Sequence, residues 1–430
     1  MISGQINSES IKTTSYKVVL PFYLYAAISF LISAVLLLTS TSAFLQHYFH
    51  PQILAITHLM ALGWATMIIL GASHQLVPVL IEGKLYSNTL GYISFILAAI
   101  GIPLLVYGFY VFNMGEPAKW GGRFVLLAIL TYLINLGVSI SKGKNESIHA
   151  IYVFTSVVWL FLTAFLGLFL VYNFTTDLLP DNSLHYLPLH VHAGIVGWFL
   201  LMVIGVSSRL IPMFLISKYQ NTKLLRWIFI LINTALASYI LIFYFTKNTE
   251  YIFLSWIELF MGIVLFIYYC YCSFKQRIRR QVDEQMKISL LSVLMMLVPV
   301  ILLLIVIITI SIFSKENASL SLSYGVLILF GWVTAIILGM TFKTLPFIVW
   351  NKVYHHRSGL SKTPNPKDLF SNSVFKVMSA AYLLGLVLFV TGSLLSYLIL
   401  LKAGGIFILA AAILYVFNVI KVITHKPNIK

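Results

Sequence analysis

Charge is scarce in this sequence. Only 9% of its 430 residues are Asp, Glu, Lys or Arg, while 60% are hydrophobic. Soluble domains carry about 25% charged residues, so the shortage excludes an ordinary water-soluble enzyme built round one core. Acids are scarcest, with 12 Asp and Glu against 28 Lys and Arg and a net charge of +16. In a soluble chain that imbalance would suggest nucleic acid. Here the basic residues are distributed by loop, which is a signal of membrane topology, and no nucleic-acid partner is expected. Cysteine is nearly absent: Cys270 and Cys272 are the only two. Without a second pair they make no zinc site, and they are expected as reduced cytoplasmic thiols. No Cys-x-x-Cys-His occurs, which excludes covalent c-type haem. The opening MISGQINSESIKTTSYK has neither the apolar core nor the cleavage site of a signal peptide, so the first apolar segment is expected to stay as a span.

What is present is long apolar sequence. About 20 apolar residues cross the roughly 30 Å hydrocarbon layer. Twelve such segments can be marked, roughly at 18–40, 52–80, 87–112, 121–140, 148–174, 188–214, 225–246, 251–273, 288–313, 320–348, 373–398 and 403–424. This reads as an all-α polytopic membrane protein of twelve transmembrane helices, a single transmembrane domain over residues 1–430. Alternate connections hold most of the bases: Lys12 and Lys17, Lys84, Lys142 and Lys144, Lys218, Lys223 and Arg226, Lys275 to Arg280, and Lys352 to Lys376. The opposite connections hold only Lys119, Arg123, Lys247, Lys315 and Lys402. The expected location is therefore the inner or plasma membrane, multi-pass, with both termini cytoplasmic. The loop near 350–372, with His355 and His356, is expected to be a solvated cytoplasmic loop.

One pattern occurs three times. Gly63-Trp64, Gly71 and Pro78 match Gly197-Trp198, Gly205 and Pro212, and again Gly331-Trp332, Gly339 and Pro346. Both offsets are 134 residues, which reads as internal repetition. The motif helices are the second, sixth and tenth spans, about 52–80, 188–214 and 320–348. Each repeat is then a four-helix unit, and the twelve spans are expected to form a pseudo-threefold bundle. The glycines read as close helix packing. The tryptophans lie too deep for an interfacial belt, so they pack between helices or against a flat ligand.

Histidines differ between the copies. His58 and His192 each lie five residues before the first glycine, and His190 lies two before His192. In the third copy Tyr324 holds the place of His190 and Val326 that of His58 and His192; Ile56 holds the place of His190 in the first. Imidazoles in a membrane are either hydrogen-bonded packing residues or functional groups, and neutral imidazole is the commonest metal ligand. Two at matching register, with a third beside one of them, favour haem or metal ligation. His190 and His192 are about 200° apart round a helix, so they serve two sites rather than one. Near the opposite ends stand His74, then Gln75, Arg209 and Lys343 at matching register. They read either as snorkelling bases or as a basic pocket for haem propionates, a quinone or lipid head group, or an anion. His58 and His74 lie about 24 Å apart along the helix, so His74, a further metal candidate, belongs to a different site. Glu258, in the eighth span, reads as a proton relay or metal ligand, or as a helix–helix hydrogen bond. His149 carries little weight, and His47, His50 and His185 read as solvated loop residues.

His190-Val191-His192, Gly197-Trp198, Gly205 and Pro212 resemble the corresponding helix of the NnrS family, haem- and copper-containing membrane proteins linked to nitric oxide. The twelve-span layout resembles subunit I of haem–copper oxidases and nitric oxide reductases, whose second, sixth and tenth spans carry ligands. That resemblance implies an oxidase subunit I-like bundle holding haem, with copper or another metal, in nitric oxide handling or respiratory electron transfer. It implies His58 as a haem ligand and, with no His in span ten, His190 or His192 as its trans partner. It also implies membrane lipid, a quinol or cytochrome electron donor and an additional subunit as partners. The sequence departs from the pattern in three places. Span ten has no His, span seven has no His pair, and Gly194 and Val196 stand where a His-x-x-x-Tyr would need tyrosine. The standard binuclear centre is therefore not expected. The competing readings are a transporter or cofactor-assembly protein, and a metal-free sensor or scaffold. The distribution of bases generates a topology test. A fluorescent protein fused after Lys430 should fluoresce and alkaline phosphatase fused there should be inactive; the opposite result would invert the assignment.

Overall fold

A computed structural model describes residues 14–143, 147–246, 249–313, 317–354 and 363–427. His355 and His356 lie outside the described residues. Twelve helices are long and apolar enough to cross a membrane: α1 Tyr16–Thr39, α2 Pro51–Leu80, α3 Asn88–Tyr110, α4 Glu116–Ser141, α5 Ile148–Thr176, α6 Ser183–Leu215, α7 Thr222–Phe245, α8 Ile252–Lys275, α9 Glu284–Ile312, α10 Ala318–Tyr354, α11 Asn372–Leu394 and α12 Leu398–Ile423. Among the described residues the only β pairing is one isolated bridge between Ser217 and Arg277.

Several helices begin earlier than their apolar runs, because polar caps set their first turns. Asn182 accepts a hydrogen bond from the His185 amide, Asp283 from Met286 and Asn317 from Leu320. Each cap satisfies an amide that the first turn leaves without an intrahelical partner. His185 is thereby a residue of α6 and not of a loop. At the other end, α10 runs past Pro346 to Tyr354, so the expected loop at 350–372 begins later. The extension is tied down by Trp350, whose Nε1 donates to the Pro364 carbonyl at 2.7 Å, and by Tyr354, whose hydroxyl lies 2.9 Å from His425 Nε2.

The three motif helices are the enclosed ones. In α2, α6 and α10, 67%, 67% and 83% of the most apolar stretch is buried, against 22–50% in the other nine. The rest surround them, with α3 packed along α4, α7 along α8, α11 along α12, and α12 against α1. Glycine permits these approaches. A Cβ on Gly121 would lie 2.3 Å from the Leu105 amide, and one on Gly404 2.6 Å from the Phe389 amide. The second glycine of each motif does the same work against the helix that precedes its own. A Cβ on Gly71 would meet Phe22, on Gly205 Tyr152 and on Gly339 Ser289, all within 2.6 Å. Gly331 differs. Its backbone (φ −87°, ψ −112°) breaks the helix, and the Tyr382 hydroxyl lies 2.8 and 2.6 Å from the freed carbonyls of Phe330 and Gly331.

Each motif helix also contains a π-helical segment, and the three share one register: Leu59–Thr66, Ala193–Leu200 and Leu327–Val333. The tryptophans within them pack between helices. Trp64 stacks on Phe30 at 4.6 Å, and its Nε1 donates to Thr334 Oγ1 at 3.1 Å. Trp198 Nε1 donates to Thr66 Oγ1 at 3.0 Å. Each threonine lies on a different motif helix from its tryptophan. Leu200 holds the equivalent position on α6 and offers no acceptor.

Three variants test this packing. Gly121→Ala should destabilise the protein by about 1–3 kcal/mol through overpacking. Gly325→Ala, whose Cβ would meet nothing within 4 Å, should not lower stability. Thr66→Val should cost about 1–3 kcal/mol by leaving the Trp198 N–H unpaired. Thermal unfolding in detergent would read all three.

Candidate functional site

On the N-terminal side of their tryptophans the motif helices line a cavity of about 790 Å³. Its walls are mostly apolar. The polar groups facing it include His58, His190, His192, Tyr239 and Tyr324. Backbone geometry places the histidines: His58 and His192 are each the last α-helical residue before a π segment. Inserting a wider turn there rotates everything after it, so the histidine and the tryptophan of one helix face different neighbours. Such segments are frequent at functional sites.

All three imidazoles are held in one tautomer. His58 Nδ1 lies 2.8 Å from the Leu54 carbonyl, His192 Nδ1 2.8 Å from the Pro188 carbonyl, and His190 Nδ1 3.0 Å from the Thr163 carbonyl on α5. A carbonyl only accepts, so each Nδ1 carries the proton and each Nε2 keeps its lone pair. Ligating histidines are oriented in the same manner, by a hydrogen bond from the other ring nitrogen.

His58 and His190 come together across the α2–α6 boundary, with ring centroids 6.2 Å apart and planes 18° from parallel. Phe109 packs on His58 at 4.5 Å. Gly167 gives His190 its room, since a Cβ there would lie 2.6 Å from the ring's Cε1. His192 points to a different neighbourhood. Its ring lies 5.1 Å from that of Tyr239 on α7 and 6.2 Å from that of Tyr324 on α10. The two register-related pairs, His58–His190 and His192–Tyr324, thus have the same centroid separation. Their counterparts, Val326 and Ile56, line the same cavity without polar side-chain atoms. Among the described residues, no three of His, Cys, Asp and Glu stand together as a metal-holding group.

The remaining candidates lie elsewhere. His74 is buried between Phe22 and Tyr132, with ring centroids at 5.4 and 5.2 Å. Its Nδ1 bonds the Leu70 carbonyl at 2.6 Å, and its Nε2 has no partner and rests against Gly91. Arg209 and Lys343 do not line the histidine cavity; they stand beyond the tryptophans, at the opposite ends of the motif helices where the sequence spacing placed them. They are also separated from each other: Lys343 pairs with Asp283, whereas Arg209 lines a smaller cavity with His149. Glu258 Oε2 accepts a hydrogen bond at 3.1 Å from Ser238, which lies 2.7 Å from Ser255. That is a link between α7 and α8, in which Ser255 lines the cavity while Ser238 and Glu258 do not.

Sequence reasoning did not single out Tyr239, Gly167 or Phe109. Tyr324 was visible only as the register counterpart of His190. No motif marks the others, because they reach the cavity from helices outside the repeated pattern. No family model matches this chain, and no curated protein matches it.

Proposed function

We propose that the cavity holds a haem between His58 and His190, and that the protein is a membrane redox protein acting in nitric oxide handling or respiratory electron transfer. The observation that carries this reading is the pair itself: two near-parallel imidazoles 6.2 Å apart, each with its Nδ1 proton engaged by a carbonyl. His58 and His190 would hold the iron through their Nε2 lone pairs. A cavity of about 790 Å³ is of the size that cofactor sites occupy, roughly 300–1,000 Å³. Two histidines are too few for a metal ion held by protein alone, which commonly takes three or four ligands. They suffice for a haem, which brings its own four nitrogens and needs only axial ligands. That ligand count favours haem over a separate copper site.

In this reading the haem supplies one-electron chemistry at iron. The chain supplies orientation through Leu54 and Thr163, exclusion of water by the apolar walls, and space for His190 at Gly167. His192, with Tyr239 and Tyr324, would form the polar side of the cavity and offer proton-bearing groups to a small reactant. The proposal extends to the architecture. Three π segments in one register, two Trp–Thr bonds between motif helices and two equivalent side-chain pairs support three four-helix units round a pseudo-threefold axis, as in oxidase subunit I. Both termini would face the cytoplasm, with a quinol or cytochrome as electron donor.

Purified protein should show the sharp reduced α-band of bis-histidine haem. His58→Ala and His190→Ala should each lower haem content by about tenfold or more, on the scale of lost metal ligation, while His192→Ala retains it. Gly167→Ala should weaken retention by displacing His190. Wild-type protein without haem would sink the reading. Anaerobic nitric oxide consumption that falls with His192→Ala would assign turnover. Haem without consumption would leave electron transfer or sequestration as the activity.

A further inference from the structure

Arg209 and Lys343 stand four residues after the second glycine of their motifs, yet their surroundings differ. Lys343 meets a carboxylate. Asp283, the cap of α9, bonds its Nζ and also pairs with Arg279 at 3.3 Å. At the corresponding corner of α6, the neighbour across the interface is His149, in the first turn of α5, instead of an acid. Arg209 has no hydrogen-bond or ion-pair partner among the described residues, and it lines a separate cavity of about 230 Å³.

Polar side chains form much of that cavity's wall. Besides Arg209, its walls include His149, Ser208, Gln220, Asn221 and Thr222. Among the described residues no Asp or Glu lines it. His149 is fixed in one tautomer, with Nδ1 lying 3.2 Å from the Gly205 carbonyl and 2.9 Å from Ser208 Oγ. Ser208 in turn donates to the Gly205 carbonyl at 3.0 Å. His149 Nε2 keeps its lone pair and makes no hydrogen bond among the described residues. The N-terminus of α7 opens on the same space. Asn221 already satisfies the Leu224 and Leu225 amides, at 2.9 and 3.2 Å. The first amides of that turn remain as donors at the positive end of the helix dipole.

A guanidinium with no carboxylate partner among the described residues and the free amides of a helix N-terminus supply donors to this space, while the His149 Nε2 lone pair can accept the proton of a protonated phosphate oxygen. We propose that this cavity is a phosphate-binding site, taking the phosphate group of a membrane lipid or of a free phosphate. Guanidinium forks match phosphate oxygens in two-pronged geometry, and a helix N-terminus suits the same charge. The site lies apart from the histidine cavity, and shares none of its lining residues. It stands whether or not the protein holds haem.

The test uses full-length protein in detergent, probed with inorganic phosphate by thermal shift and with phosphatidylglycerol by native mass spectrometry. Arg209→Gln should weaken binding of the effective probe about tenfold or more, the scale of a lost charge-assisted bond. Its unliganded melting temperature should stay near wild type, because the exposed Arg209 side chain makes no hydrogen bond or ion pair among the described residues. Lys343→Gln, at the matching register, should leave binding unchanged. Stabilisation by inorganic phosphate identifies a soluble phosphate as sufficient. Lipid adducts lost in Arg209→Gln without a phosphate response identify a head group. Binding of neither probe, or binding indifferent to Arg209, would overturn the proposal.

Discussion

Contact among α2, α6 and α10 at the level of their tryptophans is the constraint on which the rest of the structure depends. In hydrocarbon no water satisfies an indole N–H, and an unpaired one is costly. Trp64 and Trp198 find hydroxyls on another motif helix, at Thr334 and Thr66. Those bonds set how each helix is rotated against the others. The rotation then decides which side chains meet in the cavity on one side, and which bases are left facing neighbours on the other. The small residues and the cavity serve the same arrangement: helices pack close at the glycines and line a cavity at the histidines.

The two ends of the motif helices have separate chemistries. On the histidine side, one matching register carries His58 with His190, His192 with Tyr324, and apolar Val326 with Ile56. One backbone plan therefore offers a paired-imidazole site, an imidazole–phenol site and a featureless wall. On the basic side, the same position is Gln75, Arg209 or Lys343. Asp283 neutralises Lys343, while Arg209 faces an imidazole. In both places substitution within a recurring sequence motif decides which side chains meet. Low dielectric makes these differences consequential, since charges and lone pairs inside a bilayer must be matched by a partner or a ligand.

Much of the fold was legible in the residues. Apolar run length marked all twelve spans, because a membrane helix must be apolar over most of its length. Helix starts were less legible, since caps such as Asn182 and Asp283 are polar and lie outside the apolar run. Of the site, the histidines were visible by register, and the opposite directions of His190 and His192 followed from helical angle. The joining of His58 to His190 was one of two alternatives. The surroundings were not visible, because Tyr239, Gly167 and Phe109 belong to helices with no motif. Arg209 and Lys343 looked equivalent along the chain and differ in space through one residue, Asp283, sixty positions from Lys343.

The sequence by itself determined the solvent of this protein, the number of its spans, the recurrence of the Gly-Trp, Gly, Pro helix and the asymmetric placement of histidine among its copies. These are properties of composition and period, which need no knowledge of neighbours. Only the tertiary structure decided which imidazoles face each other, that a π segment starts directly after His58 and after His192 and contains the tryptophan that follows, and which base is left unpaired. A wider turn rotates all later residues about the helix axis. Pairings between helices depend on that accumulated rotation, and nothing in the residue order along one helix reports it.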